Sequence, residues 1–227
     1  MATRLRWGSC TRAWTCASFT DVAGLDLNRA LSRAWVRPLV LWACALPLVG
    51  LVWAVVQNTL GANPAEALIR SLGDWTLRLL CLTLAITPVR RATGWTALAR
   101  WRRGLGLWVF AYATCHLLAY TLFDMGLDLP AVLGDVGQRP FILVGVLGFV
   151  LLVPLALTSF NAAVRWLGGR RWQLLHRLVY AVAVLALVHF YWMRAGKNNF
   201  AEVHLYTAVL AVLGAWRLRL RRVTNVP

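Results

Sequence analysis

Six long apolar stretches, roughly Leu39 to Val56, Trp75 to Val89, Leu105 to Phe123, Phe141 to Phe160, Leu178 to Met193 and Val203 to Trp216, leave this chain little choice of fold. A hydrocarbon layer is crossed by about 20 apolar residues in α-helix, and several of the stretches approach that length. Backbone polar groups inside lipid must be satisfied within their own segment, so such runs become helices. With 60% hydrophobic and only 14% charged residues, a soluble core of 227 residues has no room for them. The expected fold is all-α: a polytopic bundle of about six transmembrane helices whose outer faces meet membrane lipid. Its organisation reads as an N-terminal arm over residues 1–37, the helical domain over 38–217 and a basic tail over 218–227.

A formal net charge of +16 would suggest nucleic acid in a soluble protein, but its distribution points elsewhere. Cations gather at Arg29 to Arg37, Arg90 to Arg103, Arg165 to Arg177 and Arg217 to Arg222, in every second connection between apolar stretches. The alternate connections collect Glu66, Asp74, Asp124, Asp128, Asp135 and Glu202. Such a bias places both termini in the cytoplasm, and excludes nucleic acid as the partner. Trp75, Trp101, Trp166, Trp172, Trp192 and Trp216 fall near the stretch ends, where amphipathic rings prefer to lie. The arm mixes Arg, Ser, Thr and Trp without an apolar core, so it is no secretory signal. It reads as a weakly ordered cytoplasmic arm, or as the product of a start codon set too far upstream. Cys10 and Cys16 are too sparse for a metal site, and no internal repeat is visible.

Three histidines sit in or beside the apolar stretches: His116, His176 and His189. An ionisable ring in a bilayer is costly unless something binds it. The third and fifth helices run the same way, so equal distance from the inner boundary means equal depth. His116 stands 13 residues beyond Arg103 and His189 stands 12 beyond Arg177, which puts the two rings within about 2 Å of one height. They can face each other across one haem iron, and two imidazoles suit an electron-transfer haem. No Cys-x-x-Cys-His pattern occurs, so the haem is held non-covalently. His176 falls level with Arg102 and Arg103 near the cytoplasmic surface, a second, inner level. It lies 13 residues before His189, roughly 140° away around an ideal helix. Either the fifth helix is distorted near Tyr180 to Val188, or its two histidines serve different partners. Gly104, Gly106, Gly145 and Gly148 read either as thinning where a macrocycle enters or as ordinary close packing. Arg78, the one charge inside the second stretch, either snorkels outward or neutralises a haem propionate. His204 reads as structurally neutral.

Several blocks carry a likeness. These are Ile86-Thr87-Pro88 with Arg90, and Arg102-Arg103-Gly104-Leu105-Gly106-Leu107-Trp108 followed by His116 and Tyr120. Arg139-Pro140-Phe141, Leu157-Thr158-Ser159, Trp172-Gln173-Leu174-Leu175-His176 with Tyr180, and His189 with Trp192 complete the set. In this order and spacing, over roughly Leu39 to Trp216, the chain resembles the MsrQ (YedZ) family within the ferric-reductase-like transmembrane superfamily. The resemblance implies a haem b subunit of the bacterial inner membrane. Such a subunit takes electrons from the quinone pool or a cytoplasmic flavin reductase. It hands them to MsrP, a periplasmic molybdopterin methionine sulfoxide reductase that repairs oxidised proteins. By position, His116 and His189 match the family's haem ligands, and His176 matches its third histidine. FMN is associated with the family, and Arg102, matching a family arginine, would hold its phosphate or a propionate. The wider superfamily often places a second histidine near that level, where Arg102 and Arg103 stand here, which argues against a second bis-histidine haem.

No sulfoxide-reducing catalytic site is expected in the chain itself. The other readings are a stand-alone membrane ferric reductase or oxidase-like haem protein, and a transporter whose histidines join helices.

Overall fold

The computed structural model describes residues 27–195 and 200–224. The expectations for Cys10, Cys16 and the first 26 residues lie outside the described residues. The chain is helical at 27–32 (α1) and continues as α2 (Val36–Ala43), α3 (Leu46–Val56), α4 (Pro64–Thr93), a 3-10 turn (Thr96–Arg100) and α5 (Arg102–Ala119). A π-turn (Tyr120–Asp124) leads to α6 (Leu129–Gln138), α7 (Pro140–Leu157), α8 (Asn161–Leu167), α9 (Gly169–His176), α10 (Val179–Ala195) and α11 (Ala201–Thr224). Among the described residues there is no strand. Five segments are long and apolar enough to cross a membrane: Val36–Val56, Pro64–Thr93, Arg102–Asp124, Pro140–Leu157 and Gly169–Ala195. The sixth expected stretch lies within α11, a continuous helix of 24 residues that carries Glu202 near its start and Arg217 and Arg219 in its second half.

Two helix pairs make the body of the bundle. α4 lies along α5 and α7 along α10, while α11 packs on α4 and α10. Their shared core is Leu72, Leu79, Leu80 and Leu84 of α4, Val109, Tyr112 and Ala113 of α5, Leu152 of α7, and Val182 and Ala183 of α10. Apolar side chains also cover the outside: Trp42 is 72% exposed and Val56 70%. Large apolar residues facing outward along whole helices belong in hydrocarbon.

The second expected stretch, Trp75 to Val89, is corrected by α4, which starts eleven residues earlier and is 30 residues long. Asn63 starts it, its side chain accepting from Glu66 N at 3.2 Å, with Pro64 in the first turn. The charges at its start and within it recur every four residues and each finds a partner. Glu66 pairs with Arg70 (2.6 Å), Asp74 with Arg194 of α10 (3.5 Å), and Arg78 Nε donates to Tyr206 of α11 (3.1 Å). Pro88, inside α4, cannot donate to the Leu84 carbonyl one turn back; Arg217 Nη2 donates to it instead, at 3.1 Å. α4 ends at Gly94, whose φ of 74° suits a residue without Cβ.

The first stretch is broken between Ala43 and Leu46. Pro47 removes the amide that would bond Ala43, and the fully buried Tyr112 donates its hydroxyl to the Cys44 carbonyl at 2.8 Å. The arm expected to end at residue 37 is docked earlier. Asn28 accepts from Ala97 N (3.2 Å), Arg100 donates to Ser32 O (3.2 Å), and Leu31 packs against the cluster of Ile86, Leu98 and Leu105.

The fifth expected helix is also corrected. Its distortion lies at Arg177 and Leu178, between α9 and α10, whereas Tyr180 to Val188 is regular helix. His176 and His189 therefore belong to different helices, and their separation on an ideal helix no longer applies.

Candidate functional site

Two cavities lie one beyond the other in the bundle, sharing Leu80, Val109 and Leu152 as a partition. The first, of about 280 Å³, contains His116 and His189 between apolar walls of α4, α5, α7 and α10, with Arg70, Asp74, Asp124, Arg139 and Arg194 also on its lining. The second, of about 580 Å³, is lined by Arg102, Arg103, Arg165, His176, Trp172 and Asn161.

His116 is held by its neighbour α4: Nδ1 lies 2.8 Å from the Ile69 carbonyl. His189 is held by its neighbour α7, with Nδ1 2.7 Å from the Phe141 carbonyl. A carbonyl only accepts, so each Nδ1 carries the proton and each lone pair resides on Nε2. That is the tautomer of a histidine ready to bind a metal through Nε2. The ring centroids are 6.2 Å apart and the planes 82° apart. Two metal–imidazole bonds of about 2 Å on opposite sides of one ion put the ring centres roughly 6 Å apart. Among the described residues no group of three or more His, Cys, Asp or Glu comes together to cage a bare metal ion. The pair therefore suits an ion whose remaining ligands arrive with it.

The two holds are the same device used twice. Ile69 and Gly73 on α4 serve His116; Phe141 and Gly145 on α7 serve His189; each glycine comes four residues after the bonded carbonyl. The sequence separations, 47 and 48, are nearly equal. No sequence repeat announces this, because only two positions per helix pair must match. Gly73 was not singled out by sequence. Gly145 was, and it faces His189; Gly104 instead abuts Leu41, Gly148 approaches Leu185, and Gly106 lines the second cavity.

His176 is not brought to the histidine pair. Thr158 Oγ1 donates to the Pro154 carbonyl (2.6 Å), so across its 3.1 Å contact with His176 Nε2 it accepts, and Nε2 carries the proton. Trp172 stacks on the His176 ring at 4.0 Å and donates Nε1 to the Thr158 carbonyl at 2.9 Å. Arg102 and Arg103 share the second cavity with His176, as equal depth implied. Its three guanidiniums face no carboxylate on that lining. Arg78 lines neither cavity: it bonds Tyr206 and lies 4.9 Å over the Trp75 ring. Arg70 lines the first cavity with Nε buried and without a partner.

Comparison with known proteins places the chain in a family. The family model for the ferric reductase like transmembrane component matches residues 72–187, from the turn holding Gly73 to two residues short of His189. A protein-methionine-sulfoxide reductase heme-binding subunit MsrQ from Polaromonas naphthalenivorans is 56% identical over 182 residues, 80% of this chain and 83% of its own length. Subunits of the same description from Ralstonia nicotianae and Bordetella pertussis are 54% and 50% identical, covering 77% and 84% of this chain and 81% and 91% of their own lengths. The chain belongs to the MsrQ family. No solved structure matches it. As an MsrQ-family protein it is an all-α multispanning membrane protein, and the family-model match takes in the whole lining of the second cavity and most of that of the first.

Proposed function

We propose that this chain is the haem b electron-transfer subunit of a methionine sulfoxide reductase system in the bacterial inner membrane. It would pass electrons outward to a periplasmic molybdopterin reductase, MsrP. The observation that carries this reading is the pair of Nε2-exposing imidazoles 6.2 Å apart in an apolar cavity. The residues fit a haem. His116 and His189 would bind its iron from two sides, and the apolar walls would cover the macrocycle. The orphaned Nε of Arg70, with Arg139 and Arg194, would meet its carboxylates. A haem so held supplies one-electron reduction and re-oxidation with no open coordination position. The Ile69 and Phe141 carbonyls keep both rings in the metal-binding tautomer.

The second cavity reads as the loading site. Arg102, Arg103 and Arg165 attract an anionic group, and the stacked Trp172 and His176 offer an aromatic wall. Such a lining suits the FMN associated with the family, or a quinone or cytoplasmic flavin reductase as donor. Alternation of cations and acids along the chain favours six crossings, both termini in the cytoplasm, the second cavity inside and the histidine pair toward the periplasm.

The test is an optical spectrum of purified protein. His116→Ala and His189→Ala each lose most of the haem and all electron transfer to MsrP, while His204→Ala, at the exposed start of α11, loses neither. A normal low-spin b-type spectrum in either of the first two excludes that residue as a ligand.

A further inference from the structure

In a helix the carbonyl of residue i points toward residue i+4. A side chain from a neighbouring helix that bonds this carbonyl must therefore lie over the Cα of residue i+4. At Gly73 and Gly145 that place is open, and the imidazoles occupy it. A Cβ on Gly145 would stand 2.8 Å from His189 Nδ1 and 2.9 Å from its Cε1; one on Gly73 would stand 3.2 Å from His116 Cε1 and 3.3 Å from its Nδ1. The carbonyl fixes one ring nitrogen and the glycine lets the ring lie down beside it. With each ring so seated, the two planes lie 82° apart.

We propose that Gly73 and Gly145 are positioning residues that set the angle between the two axial ring planes, and through that angle the electronic state of the iron. The inference rests on the haem reading above. An imidazole donates π density only perpendicular to its own plane. Two planes near a right angle therefore raise the two accepting iron d orbitals almost equally; parallel planes raise one and split the pair. In the ferric low-spin state a nearly degenerate pair gives a strongly anisotropic paramagnetic resonance signal with one dominant low-field feature. A split pair gives a three-line rhombic signal. Ring orientation and the hydrogen bonds behind the ligands also bear on reduction potential.

Low-temperature paramagnetic resonance of the purified, haem-loaded, full-length protein tests this. The wild type gives the single dominant low-field feature; a rhombic three-line signal overturns the proposal. Gly145→Ala, where the clash is closest, shifts that feature and retains an optical low-spin spectrum. Gly73→Ala shifts it less, and decides the matter where Gly145→Ala does not accumulate. Gly50→Ala, on α3 with nothing within 4 Å of the added carbon, keeps the wild-type signal. Wild-type signals from both cavity-glycine variants overturn the proposal. Failure of the haem reading itself would be seen separately, as a low-spin optical spectrum surviving in His116→Ala or His189→Ala.

Discussion

Thr158 and His176 share a hydrogen bond whose direction is fixed: the threonine proton is committed to Pro154, so the proton between them belongs to His176 Nε2. Removing the hydroxyl frees the ring without touching its charge or its stacking partner. Thr158→Ala is expected to slow reduction by the physiological donor several-fold, the scale of one lost hydrogen bond of about 1 kcal/mol. Thr158→Ser keeps the rate. Rapid-mixing absorbance reads it; Thr158→Ala loading at the wild-type rate excludes a role for this contact.

Arg102→Ala and His176→Ala address the same end of the bundle. Both are expected to slow loading, while protein already reduced by dithionite discharges normally to the sulfoxide reductase. Variants that load normally but fail to discharge would reverse the assignment of donor and acceptor sides.

The Leu84 carbonyl depends on Arg217 only because Pro88 has no amide to offer. Arg217→Ala is expected to destabilise the protein by about 1–3 kcal/mol, the cost of an unsatisfied buried carbonyl. In a Pro88→Ala background residue 88 can bond Leu84 itself, so the same substitution costs less. Thermal unfolding in detergent of the four proteins gives the coupling; equal costs in both backgrounds refute it.

Sidedness is open to reporter fusions. Alkaline phosphatase joined near Asp128 should be active, and joined after Arg222 inactive; the opposite pattern would invert the whole reading.

Much of this was legible in the sequence, for reasons that particular residues make plain. His116 and His189 could be matched in depth because rise per residue is constant in a helix and arginines mark the same end of both. The same count set Arg102 and Arg103 beside His176. The start of α4 was hidden because Glu66, Arg70 and Asp74 look like a boundary until Arg194, more than a hundred residues on, is seen to meet Asp74. The break at Arg177 has no proline or glycine to announce it. Gly73 was opaque and Gly145 ambiguous for another reason: small residues in membrane helices usually signal packing, and only the fold reveals that a ring has taken the space.

The two imidazoles belong to different halves of the molecule. Each is locked within its own helix pair, by Ile69 and Gly73 or by Phe141 and Gly145, before the other is reached. A single ion gripped by both would act as a rivet through two plates that already touch, adding one bond across a seam held by the shared core and the Asp74–Arg194 pair.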